Sequence, residues 1–347
     1  MNQETKQIDL SSLNFNTEPI NPDRLRAAGK LVKENSGASL FDIGDKIGLI
    51  EFHTKANALN DDVCEMISFA CLGNTDKFDG LVIGNRGKHF SAGADLGMVL
   101  ESAKAGKWSA LEHTVRLLQN ANMAIRHGEL PVVAAPFSST LGGGCEVCLH
   151  AAIVVAAAET RMGVVETSVG LIPAGGGTKE LGIRALDRYT IIDPVTALLE
   201  PFKNITTAKV SKSGEEAKQL FLSGRDIVTP SSWSDIGLAK QVVSWLIGSG
   251  YRNSSMRTDI RVIGKKGITA FQERIRELFE NNTISEHDAI IAGHVANVLC
   301  GGDQEEGIAD EQHFLDLERE AFLHLLGTEK TRERIEYLLL NNRPLRN

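Results

Sequence analysis

Three short apolar runs constrain the fold of this chain more than any other feature: "GLVIGN" (80–85), "PVVAAP" (131–136) and "AAIVVAAAE" (151–159). Each is too short for an ordinary helix and reads as a buried strand. Between them lie longer segments of helical character, "DDVCEMISFACLG" and "WSALEHTVRLLQNANMAIRH". In the second, Leu111, Val115, Leu118 and Ala121 recur at helical spacing. Upstream, "ASLFDIGDKIGLIEF" holds two strand-like runs split by Gly44-Asp45, a hairpin signal. Strands alternating with helices predict an α/β core.

The flanks differ in texture. Residues 1–37 are polar, with Pro19, Pro22 and a short helical stretch "DRLRAAGKLVKE", and read as a leader or linker. The core is expected over 38–225 and a helical C-terminal region over 226–347. That region offers "AFQERIRELFENN", "SEHDAIIAGHVANVLCGG" and "DEQHFLDLEREAFLHLLG" as helices. Ser285 with Asp288 resembles a capping box, and Gly301 supplies a stop. Phe314, Leu317, Ala321 and Leu325 form one apolar stripe, read as core.

Composition removes several classes of function. A net charge of −8 with scattered lysines and arginines argues against a nucleic-acid partner. No apolar run is long enough for a membrane span, and the start lacks an apolar signal core, so a cytoplasmic location is expected. The five cysteines, Cys64, Cys71, Cys145, Cys148 and Cys300, are an odd number without framework spacing, and reduced thiols are expected. Cys145 and Cys148 are formally a C-x-x-C pair, but glycines precede them and no second pair follows, which disfavours both redox and zinc readings.

Chemistry is concentrated in "LGGGCEVC" (141–148), where three glycines stand directly before Glu146 in an apolar run. Glycine admits backbone conformations closed to other residues and leaves its amide approachable. A glutamate in an apolar interior is rarely unpaired. A bare amide beside a sheltered carboxylate is therefore either a structural turn or part of a reaction site. Two further segments share this character: "KHFSAGADL" (88–96), and "GVVETSVGLIPAGGGT" (163–178), which holds Glu166.

"SAGADL", "LGGGCE" and "ETSVGLIPAGGGT", in that order and at those separations, resemble the enoyl-CoA hydratase/isomerase (crotonase) family over roughly residues 40–225. The flanking "RLRAAGKLVKENSGASLFDIGD", "DIRVIGKKGITAF", "AGHVANVLCGGD" and "NNRPLRN" are similar to bacterial fused chains that carry a 3-hydroxyacyl-CoA dehydrogenase before the hydratase portion. No G-x-G-x-x-G follows an early strand, so the chain looks like the hydratase portion alone.

The resemblance implies a crotonase-like core of repeated ββα spiral with an extended helical C-terminal region. It implies reversible syn hydration of trans-2-enoyl-CoA to 3-hydroxyacyl-CoA in fatty-acid β-oxidation. The N–H groups of Ala94 and Gly143 would form the oxyanion hole. Glu146 would orient and activate water, and Glu166 would supply the proton at the α-carbon. Lys55, Ala56, Ala58, Ala92, Asp95, Leu96, Gly142, Pro173 and Ala174 would line the acyl-CoA site. No metal and no nicotinamide cofactor is implied for this chain, since the CoA thioester is the substrate. A 3-hydroxyacyl-CoA dehydrogenase domain and a homo-oligomer are the implied partners. Two departures stand out: Gly97-Met98 follow Leu96 where the family often has a lysine, and "IPAGGG" puts Ala174 where it has a glycine.

Plainer readings exist beside these. Glu146 could be a helix-start glutamate favoured by the helix dipole, worth a few tenths to about 1 kcal/mol. Lys55 could be a solvated loop lysine, and Gly175-Gly176-Gly177 a packing turn, since no G-K-[ST] follows. His53, His89, His127 and His150 read as surface or satisfied core residues, and Glu159 as a strand-end charge. Two other functions are compatible with the motifs: Δ3-Δ2-enoyl-CoA isomerisation, and a non-catalytic acyl-CoA-binding module that docks a dehydrogenase.

Overall fold

A computed structural model describes residues 13–14, 19–73, 76–230 and 235–347; much of the leader expected at the start lies outside them. The chain opens with α1 (Pro22–Ala27), β1 (Leu31–Glu34), β2 (Ala38–Asp42) and β3 (Ile47–Phe52). Next come α2 (Asp61–Cys71), β4 (Gly80–Ile83), β5 (His89–Ser91), α3 (Leu96–Lys104) and α4 (Trp108–His127). They are followed by β6 (Val132–Ala134), β7 (Ser139–Leu141), α5 (Gly143–His150), β8 (Ile153–Ala157) and β9 (Arg161–Gly163). Then follow α6 (Gly177–Arg188), α7 (Pro194–Thr206), α8 (Gly214–Leu220), β10 (Ile227–Thr229) and α9 (Asp235–Gly248). The remainder is β11 (Ile260–Val262), α10 (Gly264–Glu280), α11 (Glu286–Cys300), β12 (Gly307–Ala309), α12 (Glu311–Leu326) and α13 (Glu329–Asn341).

Packing divides the chain into two units, one of residues 1–94, 120–163 and 210–255, the other of 95–119, 164–209 and 256–347. The first is built on a seven-stranded sheet in the order β1-β2-β3-β4-β6-β8-β10. The β2–β3 pair is the expected hairpin, with Leu40 opposite Ile50. Gly44 at φ +85 turns the chain, its N–H held by Asp42 Oδ1 at 2.8 Å. From β3 onward the neighbours are parallel. All three apolar runs of the sequence become central strands here, buried on both faces. Helix α9 covers one face, packing Leu238, Val242, Val243 and Leu246 with Leu49, Val82, Val133 and Val155.

A second sheet, β5-β7-β9, is wholly parallel. The chain alternates between the two sheets: β4 then β5, β6 then β7, β8 then β9. This is the repeated ββα spiral.

Two expectations need correction. The stretch "DRLRAAGKLVKE" is not one helix. Asn21 Oδ1 caps α1 by accepting from Asp23 N–H at 2.8 Å, and Gly29 at φ +69 follows its end. Leu31–Glu34 then pair antiparallel with β2, so the sheet begins before residue 38. Residues 226–255, assigned by texture to the helical region, supply β10 and α9 to the first unit.

The second unit gathers α6, α7, α10, α11, α12 and α13 with the β11–β12 antiparallel pair. The helices expected there are present. The Ser285/Asp288 capping box opens α11 and Gly301 at φ +79 closes it. Phe314, Ala321 and Leu325 are buried on α12 and Leu317 partly so.

One carboxylate of the first sheet makes stability depend on pH. Glu51 sits half-buried on β3, and Arg26 turns its guanidinium fork to Glu34 at 2.6 and 3.0 Å. Burial, with Asp23 nearby, pushes the Glu51 carboxyl up from 4.5 to about 7. A raised carboxyl stabilises the fold fully below its unfolded value, near 4.5, and that contribution is lost as pH rises through about 7. Glu51→Gln is therefore expected to match the wild type in urea unfolding at pH 4.5. At pH 8 it should be more stable by on the order of 1 kcal/mol, solvent screening included. A stability difference that does not change between those pH values would refute the assignment.

Candidate active site

In the first unit two amide-bearing loops meet. After β5 the chain runs Ala92-Gly93-Ala94, and Gly93 takes φ +88. Leu59 pairs with Ala94 in a parallel bridge, and Leu59 N–H donates to Gly93 O at 2.9 Å. The Gly93 C=O and the Ala94 N–H belong to one trans peptide and point in opposite directions. The Ala94 N–H is thus turned away from Leu59, and Ala94 itself is exposed. Ser91 Oγ accepts from Gly93 N–H at 3.1 Å, which fixes the loop just before this amide.

The other loop answers the question of three glycines. Gly142 adopts φ +55 and ψ −129, a conformation that side chains resist, and it precedes the first residue of α5. Its N–H donates to Gly163 O at 2.9 Å, tying it to β9. Its C=O accepts from Glu146 N–H at 3.1 Å along the helix. The Gly143 N–H of the same peptide therefore points out of the helix start, where N–H groups have no partner within the helix. Gly144 is required by packing, since a Cβ there would stand 2.6 Å from the Ser91 Cβ. The loops touch: a Cβ on Gly93 would lie 3.1 Å from Leu141 O and 3.4 Å from Gly143 N. Glu146 sits in the first turn of α5 and is 1 % exposed.

The expected binding residues of this unit lie close in the chain. Lys55, Ala56 and Asn57 form a 3-10 turn in which Ala56 and Asn57 both have positive φ, +56 and +50. Such strain persists only where surroundings enforce it. Here the Asn57 amide donates to Arg86 O at 3.0 Å and His89 O at 2.9 Å. Ala56 O accepts from Ala92 N–H at 3.2 Å, so the turn abuts the Ala94 loop. Lys55 and Ala56 are exposed, and Ala58 is half-buried with its carbonyl taken by Thr54 Oγ1 at 2.6 Å.

The second unit holds the remaining candidates. Asp95 caps α3, accepting from Gly97 and Met98 N–H at 3.0 and 3.1 Å, and Leu96 is its first residue. Glu166 opens a 3-10 turn, Glu166–Val169, and is half-buried. Gly170 closes that turn at φ +87, and Leu171 N–H donates back to Glu166 O at 3.0 Å. Pro173 and Ala174 are buried, and Ala174 O accepts from Gln119 Nε2 at 2.8 Å.

The glycines 175–177 are a packing turn, and its occupant can be named. Glu318 of α12, fully buried, accepts from Gly176 N–H and Lys179 N–H, both at 2.7 Å. A carboxylate thus occupies the start of α6 where a phosphate-binding loop would hold its anion. The Lys179 ammonium beside it is paired with Glu311 at 2.6 Å and Glu180 at 3.1 Å. Sequence reasoning missed Gln119, Glu311 and Glu318. A signal existed: Glu311 and Glu318 fall on the same helical stripe as Phe314, Ala321 and Leu325, where a solvated carboxylate has no place.

The cysteines are free and buried, and burial pushes Cys64, Cys71 and Cys300 up to about 12. Cys148 is raised by the same cause. Cys145 and Cys148 are both buried, and buried thiols are poor nucleophiles, which disfavours the C-x-x-C redox reading. His150 is buried with its Nδ1 on Glu146 O at 2.7 Å, a core histidine. Among the described residues no helix is long and apolar enough to cross a membrane.

Comparison with known proteins agrees with the motifs. Residues 42–188 match the model of the enoyl-CoA hydratase/isomerase family. A Bacillus subtilis protein named "Probable 3-hydroxyacyl-CoA dehydrogenase" is 40% identical over 96% of this chain and 42% of its own length. A Rickettsia felis protein named "Putative fatty acid oxidation complex trifunctional enzyme" is 25% identical over 97% of this chain and 43% of its own length. The chain thus spans less than half the length of these relatives. An enoyl-CoA hydratase/isomerase structure from Mycobacterium paratuberculosis superposes with a TM-score of 0.57 at 19% identity, covering 88% of this chain and all of that one. That likeness shows the fold. The crotonase resemblance read from the three motifs, and the crotonase-like fold with it, are borne out.

Proposed function

We propose that the chain hydrates trans-2-enoyl-CoA reversibly to 3-hydroxyacyl-CoA. The observation that carries this is the first unit's pair of loops. Two peptide N–H groups, of Ala94 and Gly143, are each turned outward because their own peptide carbonyls are bound elsewhere. Both amides are fixed before substrate arrives. Addition of water across an enoyl thioester builds negative charge on the thioester oxygen. Two preorganised donors stabilise that charge, and losing one typically costs about 10²–10³ in rate.

The protons fall to the two glutamates. Water must lose one to attack the β-carbon, and the α-carbon must gain one. Glu146, buried in the first turn of α5, activates the water in this proposal, and Glu166 supplies the proton at the α-carbon. Such general acid–base help is worth about 10²–10⁴. Moving a double bond needs a proton shuttle but no held water. The sheltered Glu146 therefore favours hydration over Δ3-Δ2 isomerisation. The backbone of Ala92, Asp95 and Leu96, with Lys55, Ala56, Ala58, Gly142, Pro173 and Ala174, would receive the CoA and thioester. The reaction so written asks for no metal and no nicotinamide.

The names of the relatives support a β-oxidation setting in which a 3-hydroxyacyl-CoA dehydrogenase takes up the product. The test sets crotonyl-CoA against a 3-enoyl-CoA on this chain. Faster turnover of crotonyl-CoA is expected. Turnover of the 3-enoyl-CoA alone would make the chain an isomerase, and turnover of neither would leave a binding module.

A further inference from the structure

The turn that carries Glu166 is held by residues outside the region that the family model matches. Gly170, which closes the turn, offers its carbonyl to Thr331 Oγ1 at 2.9 Å. Thr331 lies in the first turn of α13 and is fully buried. Its hydroxyl is in turn 2.8 Å from His287 Nε2 on α11. A hydroxyl has one hydrogen, and this one is spent on Gly170 O. His287 must therefore donate, with the proton on Nε2.

The surroundings keep that donor neutral. His287 is 1 % exposed, and burial, with Arg334 and Lys330 on α13, pulls its imidazole down to about 4 against the opposing pull of Asp288 and Glu286. Arg334 is committed to Asp288 at 2.7 Å and Lys330 to Glu286 at 3.1 Å. The contact with Gly170 leaves no slack. A Cβ on Gly170 would stand 2.7 Å from Thr331 Oγ1 and 2.9 Å from its Cα. At the turn's other end, Thr167 Oγ1 donates to Ile205 O at 2.7 Å.

We infer that Thr331, oriented by His287, is a positioning residue: through the Gly170 carbonyl it fixes the turn from which Glu166 delivers its proton. This rests on the assignment of Glu166 as the acid. The helical C-terminal region would then act on the chemistry as well as on the core. A displacement of about 1 Å at a reacting group can cost about 10² in rate, so one lost tether is expected to show in kcat.

The experiment compares crotonyl-CoA hydration by Thr331→Val, Thr331→Ser, Glu166→Gln and the Thr331→Val/Glu166→Gln double variant, each checked by thermal melting. Valine keeps the shape and deletes the hydrogen bond. Thr331→Val is expected to lower kcat at least about tenfold with KM within about twofold, and Thr331→Ser to restore kcat to within about twofold. In the Glu166→Gln background, Thr331→Val should cost nothing more, because both act through one group. A folded Thr331→Val with normal kcat, beside an impaired Glu166→Gln, overturns the tether alone, as does a further tenfold loss in the double variant. A fully active Glu166→Gln overturns the acid assignment instead. If Thr331→Val does not fold, Thr331→Ala carries the same expectations.

Discussion

Glu146→Gln is expected to lower crotonyl-CoA hydration by at least about 10², with acyl-CoA binding nearly unchanged. Glutamine keeps the volume of the buried side chain but cannot accept the proton of the attacking water. Loss of a negative charge from the first turn of α5 costs the helix-dipole interaction about 1 kcal/mol or less, and folding of the variant is checked by thermal melting. Glu166→Gln is expected to show a loss of the same order from the other side of the reaction, with the α-carbon left without its proton donor. The check is steady-state kinetics beside isothermal titration with a saturated acyl-CoA. Normal turnover in either variant would remove that residue from the mechanism.

Gly143→Pro separates an oxyanion hole from a tight turn. Proline is tolerated at the first position of a helix, where the missing N–H has no helical partner to lose. Gly143 is the first residue of α5, so the substitution deletes the proposed donor at a position that proline can occupy. Folding is checked by thermal melting, and the folded variant is expected to lose at least about 10² in turnover. Gly143→Ala keeps the N–H and adds a methyl where the thioester approaches. It should lose less, and chiefly in substrate binding. A folded proline variant with full activity would reduce the three glycines to a structural turn.

Much of this was legible in the chain, for identifiable reasons. The runs at 80–85, 131–136 and 151–159 stand out because strands buried on both faces have no polar alternation to blur them. The hairpin about Gly44 and the caps at Ser285 and Gly301 were readable because a few residues decide them locally. The second sheet was not. Its strands β5, β7 and β9 are three residues each and lie inside a motif or run into one, so they show no period of their own. Nor was β1, whose Lys33-Glu34 reads as helical until the antiparallel pairing with β2 is known.

The candidate site divides in the same way. Ala94, Gly143 and Glu146 could be singled out because each sits in a short glycine-rich motif. The groups that hold the segment around Glu166, residues 163–178, could not. Glu318 reaches back 142 positions to Gly176, and Thr331 reaches back 161 to Gly170. No local pattern marks a hydrogen bond of that span. The only trace is a polar residue on an apolar stripe, as at Glu311 and Glu318, and such a residue announces that it has a partner without saying which.

Hydration itself can be read from the mass of the product. Crotonyl-CoA is incubated with the chain in water enriched in oxygen-18, and the acyl-CoA pool is resolved by mass spectrometry. The proposed chemistry predicts a 3-hydroxyacyl-CoA heavier than the substrate by one labelled water, formed at a rate proportional to protein and lost in Glu146→Gln. An acyl-CoA pool that takes up no label, whether the substrate is unchanged or its double bond has moved, would contradict it.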